Sequence, residues 1–173
     1  MAGYLHEKGN KNLKIMKKIV YSIAILFTAF TVLTSCSSTK VAESNTFSRG
    51  KISGTWTLNS INYEGIVENA VQTVFDQGPV AEFQGSTWQL SNNGQGSYSL
   101  ANGSVQPIYW SYINDGMTPT FQFKKLADGV KAKDVAAGYK MVVASADGSN
   151  LTLKAPVQYD GKTGYIVYSF AKK

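Results

Sequence analysis

The sequence predicts an all-β fold, an eight-stranded antiparallel up-and-down barrel, on the basis of three observations. Short segments after residue 50 alternate apolar and polar residues, which is typical of half-buried strands. Tight turns separate these segments, and no crossover helices do, so neighbours in sequence are expected to pair antiparallel. The turns are marked by six Asx-Gly pairs: Asn93-Gly94, Asn102-Gly103, Asp115-Gly116, Asp128-Gly129, Asp147-Gly148 and Asp160-Gly161.

The alternation assigns each strand a range and an inward face. The predicted strands are residues 53–63, 82–92, 95–101, 105–113, 118–126, 139–146, 150–159 and 164–172. Bulky side chains are predicted to point inward from these strands: Trp56, Leu58, Trp88, Leu90, Tyr98, Leu100, Ile108, Trp110, Tyr112, Phe121, Phe123, Met141, Val143, Leu151, Leu153, Ala155 and Val157. The last strand offers two faces, one with Ile166, Tyr168 and Phe170 and the other with Tyr165 and Val167.

Two stretches depart from the strand pattern. Residues 66–76 carry apolar residues at helical spacing, and Glu68 lies near the N-terminal end, where a helix dipole favours negative charge. One short amphipathic helix is therefore predicted between strands one and two. Residues 129–138 are predicted to form a single helical turn or a long loop.

The N-terminal region reads as a targeting segment. Residues 16–36, MKKIVYSIAILFTAFTVLTSC, combine two lysines, a short apolar run and a final cysteine. The run is too short to cross a bilayer comfortably, so a lipoprotein signal at 16–35 is favoured over a membrane anchor. We expect residues 1–15 to be a misassigned upstream start, residues 36–49 to be a lipidated Cys36 with a flexible tether, and residues 50–173 to be the barrel domain.

Removal of the leader changes the charge balance. Residues 36–173 hold 12 of the 17 Lys and Arg and 10 of the 11 Asp and Glu, a net charge of +2. A nearly neutral chain with scattered lysines lacks the basic patch that nucleic acid requires, so no nucleic-acid partner is expected.

The same region is poor in catalytic groups. His6 is the only histidine and Cys36 the only cysteine, so neither a Ser-His-Asp nor a Cys-His site is predicted after residue 36. Four of the six aspartates precede glycine in turns. Glu82 remains as a candidate for an inward polar group that binds a ligand or acts as a general acid, although an outward position is favoured. A catalytic site, a cofactor and a metal site are not predicted.

Aromatic residues are the strongest functional signal. A predicted ligand site would be built from interior and open-end residues: Trp88, Trp110, Tyr112, Phe121, Phe123, Tyr98, Tyr63 and Glu82. Aromatic walls with a few polar tips suit a small-molecule site. They equally suit a filled core, because an eight-stranded barrel is just wide enough for either.

The blocks GTWTLNSI, STWQLSNNGQGSYSL and DGSNLTLKAP, with the Gly54-Thr55-Trp56 motif, resemble lipocalin-like lipoproteins of Bacteroidota over residues 50–172. This resemblance implies that Gly54 and Trp56 form a structural plug at the closed end of the barrel. It also implies a basic residue over Trp56, and Lys172 or Lys173 would take the place of the family's arginine.

These observations lead to a functional expectation. We expect a monomeric, non-enzymatic barrel, anchored through Cys36 in the outer membrane on its periplasmic face, that binds a small hydrophobic or amphiphilic molecule such as a lipid or fatty acid. The predicted helix would be the lid. The alternative is an envelope interaction or scaffold protein with a side-chain-filled barrel. An enzyme relying on carboxylates and tyrosines is the least favoured.

Overall fold

The computed structural model describes residues 47–173. The predicted segments 1–15 and 16–35, Cys36 and the tether up to residue 46 lie outside the described residues. The described part begins with Phe47, which packs against the barrel core, and continues into a short helix, α1, Arg49–Ile52. The folded domain therefore includes the last residues of the predicted tether. None of the helices between residues 47 and 173 is long and apolar enough to cross a membrane.

Eight antiparallel strands form a closed barrel in chain order, which confirms the predicted fold class. The strands are β1 Gly54–Glu64, β2 Thr87–Leu90, β3 Gln95–Ser99, β4 Val105–Ile113, β5 Thr120–Lys125, β6 Tyr139–Ala146, β7 Asn150–Tyr159 and β8 Lys162–Lys172. Each strand pairs with its neighbour in sequence, and β8 pairs with β1, from Trp56 opposite Lys172 to Glu64 opposite Tyr165. The bounds of β4, β6 and β7 are those that the alternation predicts.

The six Asx-Gly turns lie in six of the seven connections between strands. All six of their glycines have positive φ, from 70° at Gly161 to 101° at Gly148. This is the backbone conformation that makes Asx-Gly a hairpin signal, because glycine adopts it without steric cost. The seventh connection, between β1 and β2, lacks the motif and is the long one.

The β1–β2 connection does not form the predicted α-helix over 66–76. It contains two short 3-10 helices instead, η1 Glu68–Ala70 and η2 Val80–Phe83, and a tight loop lies between them. Several residues of the predicted helix are β-branched, and isolated helices of this length are marginal. Phe75 and Asp76 adopt φ values of 54° and 47°, which no right-handed helix allows. The η2 helix also shortens β2 relative to the predicted 82–92.

The β5–β6 connection contains one short 3-10 helix, η3, Ala132–Asp134, within a long loop. The inward face of β8 is the one with Ile166, Tyr168 and Phe170, which are all at least 96% buried. Val167 on the other face is buried as well, at 7% exposure.

The barrel has two distinct ends. The closed end holds α1, the start of β1 and the end of β8, and the open end holds the β1–β2 connection.

Candidate functional site

Aromatic side chains fill the barrel interior, which is here called the aromatic chamber. Five of the predicted site residues point into it, and their side chains are 0–1% exposed: Trp88, Trp110, Tyr98, Phe121 and Phe123. Alternation of inward and outward positions along β2 to β5 brings them together, because these four strands are consecutive neighbours in the closed sheet. The structure therefore assembles most of the predicted site.

Trp88 occupies the middle of this chamber. Its ring stacks on Tyr98 with a centroid separation of 4.7 Å, and Phe123 and Phe170 meet it edge-on at 5.6 and 5.7 Å. Its indole N–H donates to the buried Ser86 hydroxyl at 3.0 Å. Edge-to-face and offset-stacked pairs of this kind stabilise beyond their area of burial.

Trp110 lies towards the closed end. Its ring stacks on Phe121 at 5.7 Å, and its indole N–H donates to the Ser91 carbonyl at 2.9 Å. The guanidinium carbon of Arg49 lies 4.2 Å from the ring centroid, a cation–π contact. Arg49 belongs to α1, so a residue of the predicted tether covers this part of the core.

Trp56 lies at the closed end of the barrel. It is fully buried, and its indole N–H donates to the Ile52 carbonyl of α1 at 2.7 Å. Lys172, and not Lys173, is the basic residue that covers it, since the Lys172 Nζ lies 5.4 Å from the Trp56 ring centroid. With its indole N–H paired and its ring fully buried, Trp56 has no face left for a ligand.

Phe75, from the β1–β2 connection, closes the opposite end. An isolated antiparallel β-bridge between Val74 and Gly78 closes residues 74–78 into a tight loop, here called the plug segment. The Phe75 ring enters the barrel between the strands and is 7% exposed. It contacts five aromatic rings at centroid distances of 5.1–6.2 Å: Phe83, Trp88, Phe123, Tyr139 and Tyr168.

Polar side chains on three strands hold the plug segment in place. The Lys125 ammonium donates to the carbonyls of Phe75 and Asp76 at 2.8 and 3.2 Å. The Tyr139 hydroxyl donates to the Asp76 carboxylate at 2.7 Å, and burial together with this bond raises the pKa of Tyr139 to about 12. The Tyr98 hydroxyl donates to the Gln77 side-chain carbonyl. The plug is therefore attached by a few side-chain hydrogen bonds, by the inserted Phe75 ring and by the buried Val74 side chain.

Two buried tyrosine hydroxyls, those of Tyr112 and Tyr168, find no hydrogen-bond partner among the protein atoms of residues 47–173. Tyr168 lies beside the plug, with its ring centroid 5.7 Å from that of Phe75. Burial and the neighbouring Tyr63 raise the pKa of Tyr168, so its hydroxyl stays protonated and remains a donor at neutral pH. Buried polar groups normally have a partner, so these two donors are chemically unusual.

The remaining predicted residues take different positions. Tyr63 is half-buried at the open end, where burial and the nearby Glu68 raise its pKa. The Tyr112 hydroxyl is buried, and its strand neighbour is Phe121. Tyr112 follows Trp110 along β4 towards the end that α1 covers, so its predicted place at the open end is wrong. Glu82 is exposed on η2, over the backbone of Gly78, and does not point into the barrel. Glu82 therefore takes the outward position that the sequence favours, and the alternative of an interior ligand group is excluded because η2 replaces the strand that would have turned it inward.

The sequence pattern misses two residues of this arrangement, Phe75 and Arg49. It assigns Phe75 to the apolar face of a helix, although the following Asp-Gln-Gly-Pro run is a signal for a turn instead. It assigns Arg49 to the tether, although this residue lies only five positions before Gly54. Among residues 47–173, His, Cys, Asp and Glu side chains form no cluster of three that would suit a metal ion.

Comparisons of this chain with protein-family models, with curated proteins and with solved structures find no match.

Proposed function

We propose that this protein is a non-enzymatic, lipid-anchored barrel that binds a small hydrophobic or amphiphilic molecule, such as a fatty acid, in the cell envelope. The ligand enters at the open end and replaces the Phe75 ring in the aromatic chamber. The observation that carries the proposal is the Tyr168 hydroxyl, a buried donor without a partner among residues 47–173, directly beside the plug. It is positioned to receive the polar head of an amphiphile whose apolar part lies among the aromatic rings.

The manner in which Phe75 closes the chamber supports entry at this end. Most of the other large rings of the core belong to strands, and moving them would break the sheet. Phe75 belongs to a loop, and the loop is held by side-chain hydrogen bonds from Lys125, Tyr139 and Tyr98 and by burial of one further side chain, Val74. Loops of this kind open at lower cost than core strands. A ligand that supplies equivalent aromatic contacts compensates for the loss of the plug.

The proposed location rests on the sequence. The predicted signal at 16–35 is followed by Cys36, which would carry the lipid, and then by Ser37, where an aspartate would resemble a retention signal for the inner membrane. We propose the outer membrane with the barrel on the periplasmic side, and a monomer as the working form.

Tryptophan fluorescence during titration with palmitate, oleate and retinol tests the proposal. We expect a change that saturates near one ligand per chain, because Trp88 touches the Phe75 ring that the ligand displaces. Tyr168→Phe is expected to weaken palmitate about tenfold, which corresponds to the roughly 1.4 kcal/mol of one hydrogen bond. No response from any of these ligands would refute the proposal.

Trp56→Ala is the matched control. Because Trp56 lies at the closed end, its loss is expected to cost about 3–5 kcal/mol of folding stability and to leave the affinity per folded molecule unchanged. A loss of affinity in Trp56→Ala equal to that in Tyr168→Phe would place the ligand elsewhere.

A second candidate function is an envelope interaction or scaffold protein with a filled barrel. The packing of the interior favours it, since Trp56, Trp110, Phe121 and Phe123 are all fully buried. Phe75→Ala separates the two candidates. If the protein is a ligand carrier, removal of the ring opens the chamber and raises the affinity for palmitate. If it is a scaffold, neither the natural chain nor Phe75→Ala binds any member of the panel.

A further inference from the structure

A cleft of about 530 Å³ lies on the outer wall of the barrel, away from the aromatic chamber. Its floor consists of two cross-strand pairs on the outward faces of β4 and β5, Tyr109 opposite Lys124 and Ser111 opposite Gln122. Its wall is the β5–β6 connection, which contributes Ala132 and Lys133. We call these six residues the outer cleft. Its volume falls within the usual range of small-molecule sites.

The wall of the outer cleft is firmly attached to its floor. The Lys124 ammonium donates to the Val135 carbonyl at 2.6 Å and to the Ala132 carbonyl at 3.2 Å. Gly138 packs so tightly that a Cβ there would lie 3.1 Å from the Phe123 carbonyl and 3.2 Å from the Lys124 side chain. A loop held at both of these points keeps a defined shape, which gives a binding site its preorganisation.

Lysines outnumber carboxylates around the outer cleft, where Asp134 of η3 is the neighbouring acidic residue. Lys133 lines it and is exposed, Lys131 precedes η3, and Lys140 is the cross-strand partner of Gln122. None of these three lysines makes a salt bridge to a carboxylate of residues 47–173. The Lys124 ammonium is already occupied by backbone carbonyls, so the charge available to a ligand comes mainly from Lys133.

The remaining lining groups indicate what kind of anion would fit. The Tyr109 ring rests on Gly94, where a Cβ would come within 2.8 Å of it, and the side chain is still 39% exposed. A fixed aromatic ring provides a flat apolar surface for the face of a sugar ring. Ser111 and Gln122 beside it offer a hydroxyl and an amide, which donate to and accept from sugar hydroxyls.

We propose that the outer cleft binds an acidic sugar, a pyranose that carries a carboxylate. The sugar ring packs against Tyr109, its hydroxyls bond to Ser111 and Gln122, and its carboxylate pairs with Lys133. This site is independent of the ligand in the barrel interior, since its residues point outward from the sheet. It gives the protein a means of recognising acidic glycans while the interior holds a different molecule.

Calorimetric titration of the full chain with glucuronate, and with glucose as the uncharged analogue, tests this inference. We expect glucuronate to bind at least tenfold more tightly than glucose. Lys133→Met is expected to remove most of this preference, and Tyr109→Ala to weaken both sugars. The matched controls are Lys162→Met and Tyr159→Ala, which replace exposed residues of the β7–β8 hairpin and are expected to change neither affinity.

Gln122→Ala provides a second variant in case Tyr109→Ala disturbs the packing on Gly94. It is expected to weaken glucuronate at least threefold, and circular dichroism verifies the fold of every variant. Three results would each overturn the inference: binding of neither sugar, equal binding of both, or glucuronate binding that survives Lys133→Met and Gln122→Ala. Palmitate binding by the natural chain is measured in parallel, so a failure here is distinguishable from a failure of the proposed interior site.

Discussion

Gly54 has a steric reason to precede Trp56 by two positions. Its φ is 139°, and a Cβ at this position would lie 2.8 Å from the Cε of Lys172. The missing side chain therefore leaves room for the lysine stem that covers the Trp56 ring. The Gly-x-Trp pattern and the basic residue near the end of β8 act as one unit, in which the glycine leaves room for the lysine stem and the lysine covers the tryptophan ring.

Gly54→Ala is expected to lower the free energy of unfolding by about 1–3 kcal/mol, because it combines an unfavourable φ with a clash that moves the flexible Lys172 stem off the Trp56 ring. Urea denaturation followed by tryptophan emission measures the change. Gly148→Ala is the control, since Gly148 also has a positive φ, of 101°, but a Cβ added there would meet no atom within 4 Å. Equal losses in the two variants would show that the clash has no effect.

Individual residues differ in how far the sequence reveals their roles. The inward position of Trp56 was predictable because it follows from the alternation of apolar and polar residues along its own strand. Phe75 was not, because its role depends on a left-handed backbone at Phe75 and Asp76 and on rings from distant segments. Arg49 was not predictable either, since its contact with Trp110 joins residues that are 61 positions apart. A local sequence pattern predicts whether a side chain points into or out of the barrel. It does not predict which residue distant in sequence that side chain will contact.

The turn between β6 and β7 illustrates how an Asx-Gly element is stabilised. The Asp147 carboxylate accepts hydrogen bonds from the backbone N–H groups of Asn150 and Ser149 at 2.6 and 2.7 Å. These bonds, with a further one from the Asn150 side chain, lower the pKa of Asp147 below its usual 3.8. Because the folded pKa is the lower one, the stabilisation is present at neutral pH and is lost as the pH falls through it.

Replacement of Asp147 tests this linkage. Asp147→Ala is expected to lower the melting temperature at pH 7, and the difference from the natural chain is expected to shrink as the pH falls below 3.8. Asp147→Asn keeps an oxygen acceptor without the charge, so it is expected to retain much of the turn's stability. Thermal melts of the three proteins across this pH range measure the effect. A deficit in Asp147→Ala that stays constant with pH would contradict the account.

The plug segment is the element that most affects access to the interior. Lys125→Met removes the ammonium that donates to the carbonyls of Phe75 and Asp76. Hydrogen bonds to a charged group are worth roughly 1.5–3 kcal/mol, so hydrogen exchange in residues 74–78 is expected to accelerate about tenfold or more. Exchange followed by mass spectrometry measures this. Lys162→Met, at the start of β8, is the control, and equal acceleration in both variants would contradict the role of Lys125.

At the scale of the whole molecule, the barrel was predictable and its contents were not. Alternation and six turn motifs determine how many strands there are and which side chains face inward, and both follow from local backbone geometry. Whether the inward side chains leave a cavity depends on their summed volume in a closed sheet and on a loop that adds one more ring, Phe75. The sequence pattern contains no measure of that volume.

The predicted membrane anchor also concerns the whole chain. Cys36→Ser removes the thiol that would carry the lipid, so we expect the variant to lose the incorporation of labelled palmitate and to accumulate as an unprocessed or released form. Growth with labelled palmitate followed by membrane fractionation measures both effects. Gly50→Ser, which changes an exposed residue of α1, is the control. An unchanged lipid label in Cys36→Ser would refute the lipoprotein prediction.

The pairing of β1 with β8 has a consequence for the order of folding. Seven of the eight pairings join neighbouring strands, but the eighth brings Trp56 opposite Lys172, across nearly the whole domain. Closing the longest loop costs the most chain entropy, so this seam is expected to form last. Substitutions that disturb the seam from beside it, such as Gly54→Ala, whose Cβ would lie 2.8 Å from the Cε of Lys172, should then accelerate unfolding and leave the refolding rate nearly unchanged. The β1–β8 pairing at the closed end, beside Trp56, would thus determine the rate at which the closed barrel unfolds.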